Sequence, residues 1–118
     1  MSRDFRLYLD DILDAINQIQ TYVAGLDERD FAADRKTQDA VIRNLEIIGE
    51  AAGSLPSDVQ DRAEEIEWRK IKGLRNILIH GYFGINLPII WDVVQNKLGP
   101  LEKVCRKLLE ETTGSDDG

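Results

Sequence analysis

The sequence predicts an all-α protein, an antiparallel helical bundle of four to five helices. Three observations carry this expectation. Apolar residues recur at three- and four-residue intervals over long stretches. No stretch alternates as a half-buried strand does. Gly, Pro, Asp and Asn fall between the periodic stretches, where helices stop and start.

The first helix is expected over 3–24. Phe5, Leu9, Ile12, Ile16, Ile19 and Val23 follow a 4-3-4-3-4 spacing, which keeps them on one stripe. Tyr8, Ala15 and Tyr22 widen that stripe. Gly25 is the expected stop, and Asp27 can cap a short turn through Phe31. A second helix, 34–53, buries Val41, Leu45, Ile48 and Ala52, broadened by Ala40, Ile47 and Ala51. Gly49 within it permits a close backbone approach, and Gly53 and Pro56 end it. A short, mostly charged helix is expected over 57–66.

Residues 68–80 form the next helix, with Ile71, Leu74 and Leu78 facing inward. Gly73 costs it about 1 kcal/mol relative to Ala and is read as a mark of tight packing. Gly81 and Gly84 bracket a turn, HGYFGIN. Asn86 caps the last helix, which tolerates Pro88 in its first turn. Ile89, Ile90, Val93, Val94, Leu98, Leu101, Val104 and Leu108 carry its core stripe, and Gly99-Pro100 should kink it or split it. One bundle domain is therefore expected over 1–110, with a disordered tail over 111–118. The apolar faces of the long helices are wide, so surplus surface should be covered by a two-fold homodimer.

Composition sets limits on function. The chain has 118 residues, 42% of them apolar and 31% charged, enough to bury a core without a disulfide or structural metal. Cys105 is the only cysteine, so neither an internal disulfide nor a Cys-based zinc site can form within one chain. The start, MSRDFRLYLDD, has acids where a signal peptide needs an apolar run, and no stretch reaches the ~18 apolar residues of a membrane span. A cytoplasmic location, with no membrane partner, is expected.

The net charge of -7 argues against a long nucleic-acid track. Its distribution qualifies that. From Trp68 to Trp91 the chain carries Arg69, Lys70, Lys72, Arg75 and His80 and no acid, whereas all 22 acidic residues lie elsewhere. An acidic body with one basic segment suits a local anion site.

The candidate site lies in that segment, at RNILIHGY, 75–82. His80 is the only histidine, which excludes a multi-His metal centre within one chain. At about 100° per residue, Asn76 and His80 share a helix face, and Arg75 lies about 140° from His80. Arg75 is long and His80 sits where the helix unwinds at Gly81, so the two can still converge. An imidazole, a guanidinium, an amide and a phenol at one helix end suit phosphate chemistry. Arg presents a fork that fits phosphate oxygens, and His accepts and returns a proton near pH 7. RNA brings its own nucleophile, the 2′-OH, so a site that deprotonates it and stabilises the charged phosphorus centre needs neither metal nor cofactor. Asn76 would orient the imidazole or the phosphate, and Tyr82 would bond to the phosphate or stack on a base. The plainer alternative is that His80 satisfies a carbonyl at a helix end, Arg75 pairs with an acid, Tyr82 packs near Phe83, and the basic run is a solvated face.

These residues also carry a resemblance. The Arg-x4-His-x-Tyr arrangement occurs by chance about once in a few hundred chains of this length. It is the signature of HepT-like ribonuclease toxins of the HEPN superfamily, which this chain resembles over about 3–110. DRKTQDAVIRNLEIIGEAA at 34–52 is similar to the family's central helix, WRKIKGLRNILIHGYFGI at 68–85 to its catalytic helix and turn, and IWDVV at 90–94 to a further segment. The resemblance implies a homodimeric helical bundle whose two motif helices line a shared cleft. It also implies a metal-independent endoribonuclease in which Arg75 and His80 are catalytic and Asn76 assists. It further implies a toxin–antitoxin pair, with a minimal nucleotidyltransferase antitoxin that neutralises the toxin by adenylylating Tyr82. The acidic charge favours a small accessible target such as a tRNA end or loop. Two other functions remain open at this point: a non-catalytic nucleotide- or partner-binding module, and a plain dimeric scaffold.

Overall fold

The computed structural model describes the backbone of residues 3–80 and 86–116, and side-chain surroundings for 3–74 and 86–111. Among the described residues there are seven helices and no strand, so the all-α expectation holds. They are α1 (Phe5–Val23), α2 (Glu28–Ala33), α3 (Arg35–Ser54), α4 (Ser57–Asp61), α5 (Trp68–His80), α6 (Leu87–Asn96) and α7 (Leu98–Asp116). The backbone is thus helical past 110, where the tail was expected to begin.

Local chemistry sets the boundaries. Asp4 accepts from the Arg6 amide to start α1. Gly25, at φ +79°, takes the left-handed conformation that stops it, a step other residues resist. Asp27 and Asp30 then bond reciprocally to each other's amides at 2.7 and 3.2 Å, which extends the expected turn into the short helix α2. Asp34 accepts from the Thr37 amide at 3.1 Å and from its hydroxyl at 2.6 Å to start α3. Asn86 caps α6 through the Ile89 amide at 3.2 Å.

The count exceeds four to five because the turn expected after Asp27 is a short helix of its own and the last expected helix is split. The break falls at Lys97, three residues before Pro100. Proline has no N–H to give the Asn96 carbonyl, and its ring would clash with that carbonyl if the helix ran on. At residue 100, on the new helix's first turn, neither cost arises.

α1 packs between α3 and α7, α5 packs on α3, and α6 packs on α7 and α2. Leu9, Ile12, Ile16 and Ile19 of α1 meet Val41, Leu45 and Ile48 of α3 and Leu101 and Leu108 of α7 in one core, all nearly inaccessible. Phe31 and Trp91, with ring centroids 5.3 Å apart, join α2 to α6. Asn44 is buried in α3 and satisfies itself on the Ala40 carbonyl at 2.9 Å.

Two parts of the expected apolar stripes do not reach the core. Tyr22 and Ile47 are exposed at 41% and 39%, and Ile89, assigned to the core of the last helix, is exposed at 59%. The register of α6 is set instead by Ile90 and Val94, which puts Ile89 about 100° out of line. No helix among the described residues is long and apolar enough to cross a membrane.

Candidate functional site

The helix that carries the motif is anchored at its start. Trp68, the first residue of α5, is buried, and its indole nitrogen donates to the Ala63 carbonyl at 3.1 Å. Ile71 and Leu74 are half-buried against the core. On the adjoining side the aliphatic stem of Lys72 runs across Gly53 of α3, so close that a Cβ at Gly53 would lie 3.1 Å from Lys72 Cγ. The close approach between these helices is therefore made at Gly53, a residue read from the sequence only as a terminator. Gly73, read as a packing glycine, has nothing within 4 Å of where its Cβ would stand.

This anchoring fixes the backbone that bears the candidate residues. Arg75, Asn76 and His80 all lie on the last two turns of α5, and His80 is its final residue, as the sequence predicts. By register Arg75 falls within about 20° of Trp68, on the stripe that enters the core. Asn76 and His80 continue instead from Lys72, each about 40° further round. The side chains of Arg75, Asn76 and His80 lie outside the described residues, as does the whole of Tyr82.

Beside the first turns of α5 a cavity of about 410 Å³ opens towards the α6–α7 junction, lined by Ile66, Lys70, Ile71, Leu74, Val93 and Lys97 among others. Its lining positions on α5 lie about 80° or more from position 80 by register. The sequence reading assigned no role to Lys97. The charges around this end of α5 are unequal. Glu67 and Lys70 form an exposed pair at 2.8 Å, whose hydrogen bond and charge hold the carboxyl below and the ammonium above its ordinary value. Arg69 and Lys72 are exposed and have no ion pair among the described residues.

Elsewhere, Cys105 is fully buried, and loss of hydration pushes its thiol up to about 12, which makes it an inert core residue. No cluster of His, Cys, Asp or Glu among the described residues has the makings of a metal site.

Residues 12–108 match the family model described as ribonuclease HepT-like. The chain belongs to the HepT-like family. Among the curated relatives of this HepT-like chain is the Methanocaldococcus jannaschii protein named "Putative RNase MJ0127", 40% identical over 98% of this chain and 95% of its own length. "Probable ribonuclease HepT" of Thermococcus cleftensis is 41% identical over 92% of this chain and 98% of its own length. "Putative RNase TTE0752" of Caldanaerobacter subterraneus subsp. tengcongensis is 37% identical over 90% and 95%. The HepT-like chain has no significant match among solved structures.

Proposed function

We propose that this HepT-like chain is the toxin subunit of a toxin–antitoxin pair and acts as a metal-independent endoribonuclease, with tRNA ends or loops as its targets. The observation that supports this best is the placement of Arg75, Asn76 and His80 on the last two turns of a helix anchored at Trp68, in a member of a ribonuclease family.

The chemistry follows from the residue types. The imidazole of His80 takes the proton of a ribose 2′-OH while that oxygen attacks the adjacent phosphorus. The P–O2′ bond forms and the P–O5′ bond breaks, leaving a 2′,3′-cyclic phosphate. The imidazolium returns its proton to the departing 5′ oxygen. Arg75 stabilises the charge that gathers on the phosphoryl oxygens, and Asn76 orients the imidazole or the phosphate.

One histidine per chain fits a two-fold homodimer in which a second imidazole enters the cleft from the partner. Exposed Tyr22, Ile47 and Ile89 are apolar surface that such an assembly can cover. Tyr82, two residues after His80, is the proposed acceptor of AMP from a minimal nucleotidyltransferase antitoxin. A bulky anionic adenylate there would block the site and repel RNA phosphates. The cytoplasm is the compartment in which such a pair would act.

The test is cleavage of bulk tRNA by purified protein with EDTA present, comparing wild type with His80→Ala and Arg75→Ala. The reading expects scission by wild type and a loss of about 10²-fold or more in each variant. Scission that requires added divalent metal, or that survives His80→Ala, overturns it. Complex formation without scission would favour the binding-module alternative. Intact mass after co-expression with the neighbouring nucleotidyltransferase reads the adenylylation of Tyr82 directly.

A further inference from the structure

Two cations on α5 are unaccounted for by the motif. Arg69 and Lys72 are exposed on the helix that carries Asn76 and His80, and neither has an ion pair among the described residues. Lys70, which stands between them in sequence, is neutralised by Glu67 at 2.8 Å and lies about 100° away from Arg69 by register. Arg69, Lys72, Asn76 and His80 fall within an arc of about 80°. They span about 16 Å along the helix axis. That length accommodates several phosphates even at the roughly 3.4 Å spacing of a stacked strand.

The stem of Lys72 packs on α3. Its Cγ, Cδ and Cε lie 3.1, 3.4 and 3.5 Å from the position a Cβ on Gly53 would take, so the stem passes closely over α3 at a residue with no side chain. A packed stem loses less rotamer freedom when its ammonium takes up a partner. Glu50, one turn before Gly53 on α3, forms no ion pair with Lys72. In a chain with a net charge of -7, two cations left without an ion pair among the described residues on the helix that carries the motif make a local positive patch that suits an anion.

We infer that Arg69 and Lys72 form a phosphate track that receives the single-stranded RNA backbone flanking the scissile phosphate and leads it towards His80. This rests on the ribonuclease reading above. It adds that the strand runs along the N-terminal half of α5 rather than away from the helix end. The track positions substrate and takes no part in the bond changes, so it acts on KM and leaves kcat in place.

The experiment measures binding of a fluorescein-labelled 2′-O-methyl oligouridine, which cannot be cleaved, as a function of salt, alongside cleavage kinetics on bulk tRNA. Arg69→Gln and Lys72→Gln are compared with Lys107→Gln on α7, an exposed cation off this helix. Each track variant should lower the slope of log affinity against log salt by about 0.7, equivalent to about five-fold weaker binding at 0.1 M salt. KM should rise with kcat unchanged, and Arg69→Lys and Lys72→Arg should restore the slope. Unchanged slopes with cleavage intact, or an equal drop in Lys107→Gln, overturn the track while the nuclease reading stands. A wild-type protein that neither binds the oligouridine nor cuts RNA overturns both.

Discussion

The indole nitrogen of Trp68 donates to the main-chain carbonyl of Ala63 at 3.1 Å, and this bond closes the segment between α4 and α5. In a continuous helix the Ala63 carbonyl would accept from the Glu67 amide. Here it receives the indole and the Ile66 amide, the latter at 3.2 Å, and the Trp68 amide turns back to the Ile66 carbonyl at 3.0 Å. One side chain thus ends the charged segment and starts the helix that carries the motif. Trp68→Phe should keep much of the ring's packing and lose the bond, costing about 1 kcal/mol. Trp68→Ala should cost about 3–5 kcal/mol. Urea unfolding reads both, and a Trp68→Phe variant as stable as wild type would show that the bond has no separate role.

The two glycines at the α3–α5 junction should respond in opposite ways. Gly73→Ala adds a methyl group where nothing stands within 4 Å and should stabilise the protein by about 1 kcal/mol through helix propensity. Gly53→Ala presses on the Lys72 stem at 3.1 Å, which offsets the same propensity gain. Thermal melts of the two variants side by side should rank Gly73→Ala clearly above Gly53→Ala.

Asp34 gives the start of α3 a pH dependence. Bonds from the Thr37 hydroxyl and then the Thr37 amide hold its carboxyl below the ordinary aspartate value of 3.8. A lowered value means the folded state favours the ionised form. Its stabilisation is therefore complete above 3.8 and disappears as pH falls through the folded value. The gap in Tm between wild type and Asp34→Ala should be full at neutral pH and close in acid. Asp34→Asn, a good neutral cap, should keep a gap from Asp34→Ala that does not vary with pH.

Cys105 acts at the other end of the scale. Burial pushes its thiol from 9.0 up to about 12, so above pH 9 the unfolded chain releases a proton that the folded chain retains. Stability should therefore fall with rising pH between 9 and 12, by at most about 1.4 kcal/mol per unit. The comparison is with Cys105→Ala, which lacks this slope. Thiol reagents at neutral pH should label Cys105 only in the unfolded protein. Rapid labelling of the native state would contradict its burial.

The long helices were legible because their signals are local. The 4-3-4-3-4 spacing of α1 and the Trp68-to-Gly81 span of α5 need no knowledge of neighbours, and both match the structure to within two residues. The segment after Asp61 was expected to stay helical to 66 because nothing local forbids it. It turns through three-residue backbone bonds, the Ile66 amide reaching the Ala63 carbonyl that the Trp68 indole shares, and a side-chain bond of that kind leaves no periodic trace. Gly53 and Gly73 were misread for a related reason. A glycine's role depends on what passes over it, and Lys72 crosses Gly53 from 19 positions away. For the candidate site, the helix and the register of Arg75, Asn76 and His80 were readable, since both are properties of a single helix. The exposed, unpaired state of Arg69 and Lys72 was not, because it depends on where the acids of other helices come to rest.

The position of α1 between α3 and α7 bears on how the chain is made. During synthesis the partner on α3 emerges early, but Leu101 and Leu108, which close the other side, follow about fifty residues later. Until then the α1–α3 hairpin carries a naked greasy flank, and a ribosome that stalls before residue 98 leaves a nascent chain that is sticky rather than merely unfinished. Concealment of the interior therefore waits on α7, so products truncated before it should be prime clients for chaperones and proteases.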